Sequence, residues 1–241
     1  QVTAVGFQAL TANTTGIRNT AFGRKALLTV TTGQQNVAVG SAALFNATGD
    51  NNTAVGHDAM VALTTGVNNL AVGSQAGSAM TEGNNNVALG KQANTTTTTG
   101  SNIICIGNVA EPTSATAANQ ITLGNSSIQT LRCQVQTISA LSDERDKTDI
   151  VDSEDGLDLI NLLKVRKFTW SMREPSDNDG KTELGFVAQE LDEVLGTKND
   201  YIHAVLKDNP NKLEAAYGRF IPIMVKAIQE LSAEVTALKA A

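Results

Sequence analysis

Residue types able to do chemistry are thinly spread along these 241 residues. The two histidines, His57 and His203, lie far apart without neighbouring ligands. A metal site needs three or four convergent ligands, so no metal and no cofactor are expected. The two cysteines, Cys105 and Cys133, allow at most one disulfide, and nothing in the pattern requires it. Glycoside hydrolysis uses a pair of carboxylates flanking the sugar. The first 141 residues hold only four acids, Asp50, Asp58, Glu82 and Glu111, scattered in phase and sequence. No phosphate-binding glycine loop ending in Gly-Lys-Ser or Gly-Lys-Thr is present. One polar run does bring a hydroxyl near an amine: Ser142-Asp143-Glu144-Arg145-Asp146-Lys147-Thr148-Asp149-Ile150. Taken alone, Ser-Asp before such a run reads as a turn or a helix cap, and Lys147 as a solvated lysine.

The same run marks a change of composition. Residues 1–141 carry five basic and four acidic residues, net +1; residues 142–241 carry 13 basic and 20 acidic, net −7. The contrast implies two domains with different surfaces, neither basic enough to bind nucleic acid through charge. Aromatics are only 4%, which argues against an aromatic stacking platform for sugars. No run of 18 apolar residues predicts a transmembrane helix, and no secretion signal opens the chain. The chain begins at Gln1 inside a repeat and is read as the C-terminal piece of a longer protein.

The repeat is carried by short copies such as Asn19-Thr20-Ala21-Phe22-Gly23, Asn36-Val37-Ala38-Val39-Gly40 and Asn86-Val87-Ala88-Leu89-Gly90. Their closing glycines stand at 6, 23, 40, 56, 73, 90, 107 and 124, a spacing of 17 broken once by 16. A second glycine series (16, 33, 49, 66, 83, 100) and an Ala-Leu echo (Ala9-Leu10, Ala26-Leu27, Ala43-Leu44, Ala59-Met60) keep the same beat. The apolar stretches are too short for helices and suit strands. Glycine supplies the turn, asparagine tolerates the left-handed conformation, and each unit must stack on its neighbours to bury its face. The expectation is a parallel β-solenoid of 17-residue coils over residues 1–110, followed by a β-rich transition over 111–141. Cys105 replaces a repeat alanine and is expected to be buried.

The pattern Asn-x-Ala-Val-Gly-x-x-Ala-Leu resembles the head repeat of YadA-type trimeric bacterial adhesins, with a longer beat than is usual there. The resemblance implies a left-handed parallel β-roll and three chains side by side. A single-chain β-helix is the alternative left open by the pattern itself.

Three later blocks are distinctive: Val165 to Trp170, an alternating strand; Leu184-Gly185-Phe186-Val187-Ala188-Gln189-Glu190, a strand running into a helix; and Tyr217-Gly218-Arg219-Phe220-Ile221, opening a long helix. In the last, Tyr217, Ile221, Met224, Ile228, Leu231, Val235 and Leu238 step by alternating fours and threes, a heptad seam compatible with three strands. Pro222 sits in the first turn or kinks the helix. Packing on the chain's own domain would produce a similar stripe.

Together with the Ser-Asp-x-Arg-x-Lys opening and the Ala-Ile-Gln-Glu-Leu ending, these blocks resemble the peptidase S74 intramolecular chaperone domain found at the C-terminus of phage tail fibres, tailspikes and endosialidases. The resemblance spans residues 142–241 and departs from the family at Asp146, usually apolar there. It implies an α+β chaperone domain, homotrimer formation, and one self-cleavage per chain at Leu141–Ser142, with no turnover on other substrates. Ser142 would be the nucleophile and Lys147 its base. Burial in an assembled trimer would disfavour the ammonium and let Lys147 take the serine proton. Asp143 could support the site, and either Arg145 or a backbone N–H could stabilise the oxyanion.

The reading is therefore the C-terminal part of a phage tail fibre, a virion component assembled in the host cytoplasm, where thiols stay reduced. It would bind a host surface receptor, glycan or outer-membrane protein. The rivals are a fragment of a bacterial trimeric adhesin, a glycan-depolymerising tailspike, and a chaperone that has lost cleavage.

Overall fold

A computed structural model describes residues 1–128, 130–134, 142–171, 173 and 179–241. The chain divides into two compact units, Gln1–Ile128 and Gln129–Ala241.

The first unit is a parallel β-solenoid. Eight short strands, β1 (Thr3–Val5), β2 (Thr20–Phe22), β3 (Val37–Val39), β4 (Thr53–Val55), β5 (Leu70–Val72), β6 (Val87–Leu89), β7 (Ile103–Ile106) and β8 (Gln120–Leu123), form one sheet in sequence order. The eighth strand carries the sheet past residue 110. Register is set by identity, since Ala4, Ala21, Ala38, Ala54, Ala71 and Ala88 pair in succession, continued by Cys105 and Thr122. From Ala21 to Cys105 these positions are fully buried. Small side chains are required because the opposite wall of the coil is close. That wall carries Leu27, Leu44 and Met60 in one column and Val30, Ala47, Leu63 and Met80 in another, all fully buried.

Two ladders hold coil to coil beyond the strands. The repeat asparagines Asn19, Asn36, Asn52, Asn69 and Asn86 are at most 2% exposed. Each Nδ2 donates to a glycine carbonyl of the next coil, as Asn52 to Gly66 at 2.9 Å and Asn86 to Gly100 at 2.9 Å. Each Oδ1 accepts the backbone N–H of the next copy, as from Asn86 to Asn69 at 2.9 Å. Left-handed conformations fall not on the repeat asparagine but on the residue before it, such as Asn51, Asn68 and Asn85, with φ between 58° and 60°, and also on the buried Leu27, Leu44 and Met60, with φ of 48–49°. The closing glycines form the second ladder. At Gly56, φ is +142° and a β-carbon would lie 2.3 Å from the Gly73 carbonyl oxygen, so the coils approach too closely for any side chain. Cys105 is buried as expected, and desolvation pushes its thiol up to about 11, out of reactive range.

The second unit is α+β. Strands β9 (Arg166–Thr169) and β10 (Thr182–Gly185) form an antiparallel hairpin, and β11 (Val205–Leu206) pairs with β12 (Glu214–Ala215). Helices α1 (Leu157–Leu162), α2 (Ala188–Leu195), α3 (Asn199–Ile202) and α4 (Ile221–Ala240) surround a core of Leu159, Leu191, Leu195, Ile202, Val205, Phe220 and Ile223. A 3-10 turn, Tyr217–Phe220, leads into α4, and Pro222 lies in the first helical turn, where its missing N–H costs nothing. No described helix is long and apolar enough to cross a membrane.

Candidate active site

Ser142 and Lys147 are brought together by one tight turn. Glu144–Asp146 is a single 3-10 turn, with Asp146 N–H donating to the Asp143 carbonyl at 3.2 Å and Lys147 N–H to the Glu144 carbonyl at 3.1 Å. The chain therefore doubles back. Lys147 Nζ lies 2.7 Å from Ser142 Oγ and 3.2 Å from the Ser142 carbonyl oxygen. In this contact the lysine donates and the serine oxygen accepts. Leu141, which would supply the attacked carbonyl, lies outside the described residues.

Asp143 caps the turn. Its Oδ1 accepts the Arg145 N–H at 2.9 Å, and the Arg145 guanidinium grips the same carboxylate through Nε at 2.9 Å and Nη2 at 2.5 Å. The guanidinium, helped by the backbone N–H, holds the Asp143 carboxyl below the usual carboxylate range, and the carboxylate raises Arg145 in return. Residues 142–151 are exposed throughout, including the apolar Ile150 and Val151. Among the described residues of one chain, nothing shields the pair from water.

The arm becomes part of the folded body at Asp155, a residue without any distinguishing sequence signal. Asp155 is 6% exposed and accepts from Lys198 Nζ and, at 2.6 Å, from the Tyr201 hydroxyl. Burial works against its charge, but the hydrogen bonds from Lys198 and Tyr201 outweigh it and keep the carboxyl below its usual range. Two residues on, the Leu157 N–H donates to Glu230 Oε2 of α4 at 2.6 Å.

The three sequence blocks meet in this unit. Arg166 of the first pairs with Glu190 of the second through two bonds of 2.9 and 2.6 Å. Tyr217 of the third packs edge-on against Phe186, with centroids 5.3 Å apart. Tyr217 therefore precedes the helix and contacts its own domain. The other seam positions, Ile221, Met224, Ile228, Leu231, Val235 and Leu238, lie on α4 and are 44–78% exposed, while a neighbouring face of the helix buries Ile223 and Ala227.

Among the described residues no three His, Cys, Asp or Glu side chains converge as a metal would need. His57 meets only Asp58, and His203 ends α3 in a left-handed conformation. In the solenoid, Asp50 accepts the Gln34 N–H, and Glu111 binds the Thr95 and Thr96 N–H groups, so these two acids tie coils together.

No curated protein and no solved structure matches the chain. Residues 142–199 match the family model Peptidase S74, chaperone of endosialidase. The C-terminal region thus carries a peptidase S74 chaperone domain, and it is preceded by the parallel β-solenoid of Gln1–Ile128.

Proposed function

We propose that residues 142–241 drive three copies of the chain into register and then cut the Leu141–Ser142 bond once, leaving the solenoid as the distal part of a tail fibre that contacts a host surface receptor. The observation that carries this reading is the 2.7 Å approach of Lys147 Nζ to Ser142 Oγ, in the segment that opens the family match.

The chemistry balances within one chain plus water. Neutral Lys147 takes the Ser142 hydroxyl proton as Oγ attacks the Leu141 carbonyl carbon. The tetrahedral intermediate collapses with loss of the Leu141 C–Ser142 N bond. The departing amine takes the proton back, and an ester joins Leu141 to Oγ. Water then hydrolyses the ester, giving a Leu141 carboxylate and a free Ser142 hydroxyl. A protonated lysine cannot begin this sequence, so exposed Lys147 needs a drier setting. Assembly supplies it in this reading, and cutting then reports correct folding. The exposed seam of α4 supports assembly through three-stranded helix packing, and the solenoid, with its resemblance to trimeric adhesin heads, would follow the same symmetry.

Intact mass measurement of freshly made protein tests the reading. Fragments 1–141 and 142–241 from the native chain, with Ser142→Ala and Lys147→Ala whole, are expected. A native chain that stays whole while trimeric removes the protease and leaves the chaperone; a whole monomer removes both.

A further inference from the structure

The proximity of Ser142 and Lys147 has to be made by the four residues between them. Five residues of extended chain would separate their Cα atoms by about 17 Å, beyond the reach of a lysine side chain. A three-residue 3-10 turn is marginal alone, and here no side chain from 142 to 151 is buried to hold it. What closes the turn is the Asp143 carboxylate on the Arg145 N–H, alongside the two backbone bonds. The Arg145 side chain is directed to the same carboxylate through Nε and Nη2.

We infer that Asp143 is a positioning residue for cleavage, acting as the cap that folds Lys147 back onto Ser142, and that Arg145 serves Asp143 and is not the oxyanion donor. This rests on the cleavage reading above. In the single chain the ion pair is open to solvent and contributes little by itself; the cap is the element that sets how often the turn is closed. Asparagine and serine cap as well as aspartate does, so charge at 143 is dispensable and the acceptor is not.

The test measures the cleavage rate of the full chain by intact mass, beside native mass spectrometry for the assembly. Asp143→Ala is expected to slow cutting by about twofold to thirtyfold, the kinetic equivalent of a lost cap, with the oligomer and melting temperature unchanged. Asp143→Asn and Asp143→Ser recover most of that loss. Arg145→Ala costs at most about threefold, against the roughly hundredfold or more expected for an oxyanion donor. Equal slowing in Asp143→Ala and Asp143→Asn overturns the cap; a hundredfold loss in Arg145→Ala overturns its assignment; so does an Asp143→Ala chain that no longer assembles.

A second readout does not need cleavage. In a chain carrying Ser142→Cys and Cys133→Ser, the neighbouring Lys147 ammonium favours the thiolate and speeds early alkylation of the introduced thiol by iodoacetamide. Adding Asp143→Ala should remove that acceleration and Asp143→Asn should keep it; an unchanged rate in Asp143→Ala sinks the inference. A native chain that is never cut, with this pattern intact, sinks the cleavage reading and leaves the cap standing.

Discussion

The Tyr217 hydroxyl accepts the Phe186 N–H at 3.0 Å and stands 2.5 Å from where a β-carbon on Gly185 would sit. One tyrosine thereby fastens the end of β10 to the approach of α4. Tyr217→Phe should cost about 0.5–1.5 kcal/mol, one hydrogen bond's worth. Gly185→Ala should cost more, about 1–3 kcal/mol, because the phenol must move aside. Denaturant titration of the second unit's transition in full-length protein orders the two; a neutral Gly185→Ala would show that the contact is not held in solution.

Asn69 is a middle rung of the asparagine ladder, donating to Gly83 at 2.8 Å and accepting from Asn86 at 2.9 Å. Asn69→Ala strands both buried groups and should lower solenoid stability by about 2–4 kcal/mol. The same replacement at exposed Asn68 should cost less, about 1 kcal/mol, because it loses only an asparagine suited to a left-handed backbone and an exposed bond to Asn85. Equal urea midpoints for the two variants would remove the ladder from the account of stability.

Asp155 and Lys198 give the second unit a signed pH response. The Asp155 carboxyl ionises below its ordinary range when folded, so its contribution is complete above the unfolded aspartate range and is lost as pH falls through the folded value. Lys198 is raised, so its share persists to high pH and disappears only above the ordinary lysine range. The melting temperature should be flat across neutral pH and fall at acid. Asp155→Asn should lower the plateau and flatten the acid fall; an unchanged acid limb would place its origin elsewhere.

The exposed face of α4 gives a sharp contrast with its buried one. Ile228 is 64% exposed and Ile223 only 6%. Ile228→Asp should abolish the trimer and slow cutting while leaving the helical circular dichroism of each chain in place. Ile223→Asp should unfold the second unit, at a cost of several kcal/mol for a buried charge. A trimeric Ile228→Asp protein would dismiss the seam.

The solenoid was legible because each signal is repeated. Six copies of one alanine and eight of one glycine leave no doubt about period or register. The role of the repeat asparagine was not legible, since sequence shows an amide but not that its partners lie one coil away. In the second unit the heptad steps fall on exposed positions of α4, while Tyr217, also exposed, precedes the helix and touches Phe186, a contact the steps do not show. The spacing of Ser142 and Lys147 does not itself imply contact; that depends on a local turn. Asp155 had no signal at all, being one of several acids in the stretch Asp152-Ser153-Glu154-Asp155, and only tertiary packing singles it out.

The uniformity of the coils has a cost in fidelity. Because every rung offers the same amide, the same glycine carbonyl and the same alanine, a coil paired one unit out of place satisfies almost all of its bonds. A coil taken from a second chain does so as well. Wrong partners are nearly as good as right ones, and the gap that steers folding is narrow. The pattern is broken by the shortened step between Gly40 and Gly56, by Gly77 and Asn94 where earlier coils have Leu or Met, and by Ile103, Cys105, Ala117, Gln120 and Thr122 towards the end. Only at such irregular rungs would a misaligned coil meet a different side chain. Chains aligned from their C-terminal ends would meet the irregular coils first and zip the identical ones afterwards, when slippage no longer has room to occur.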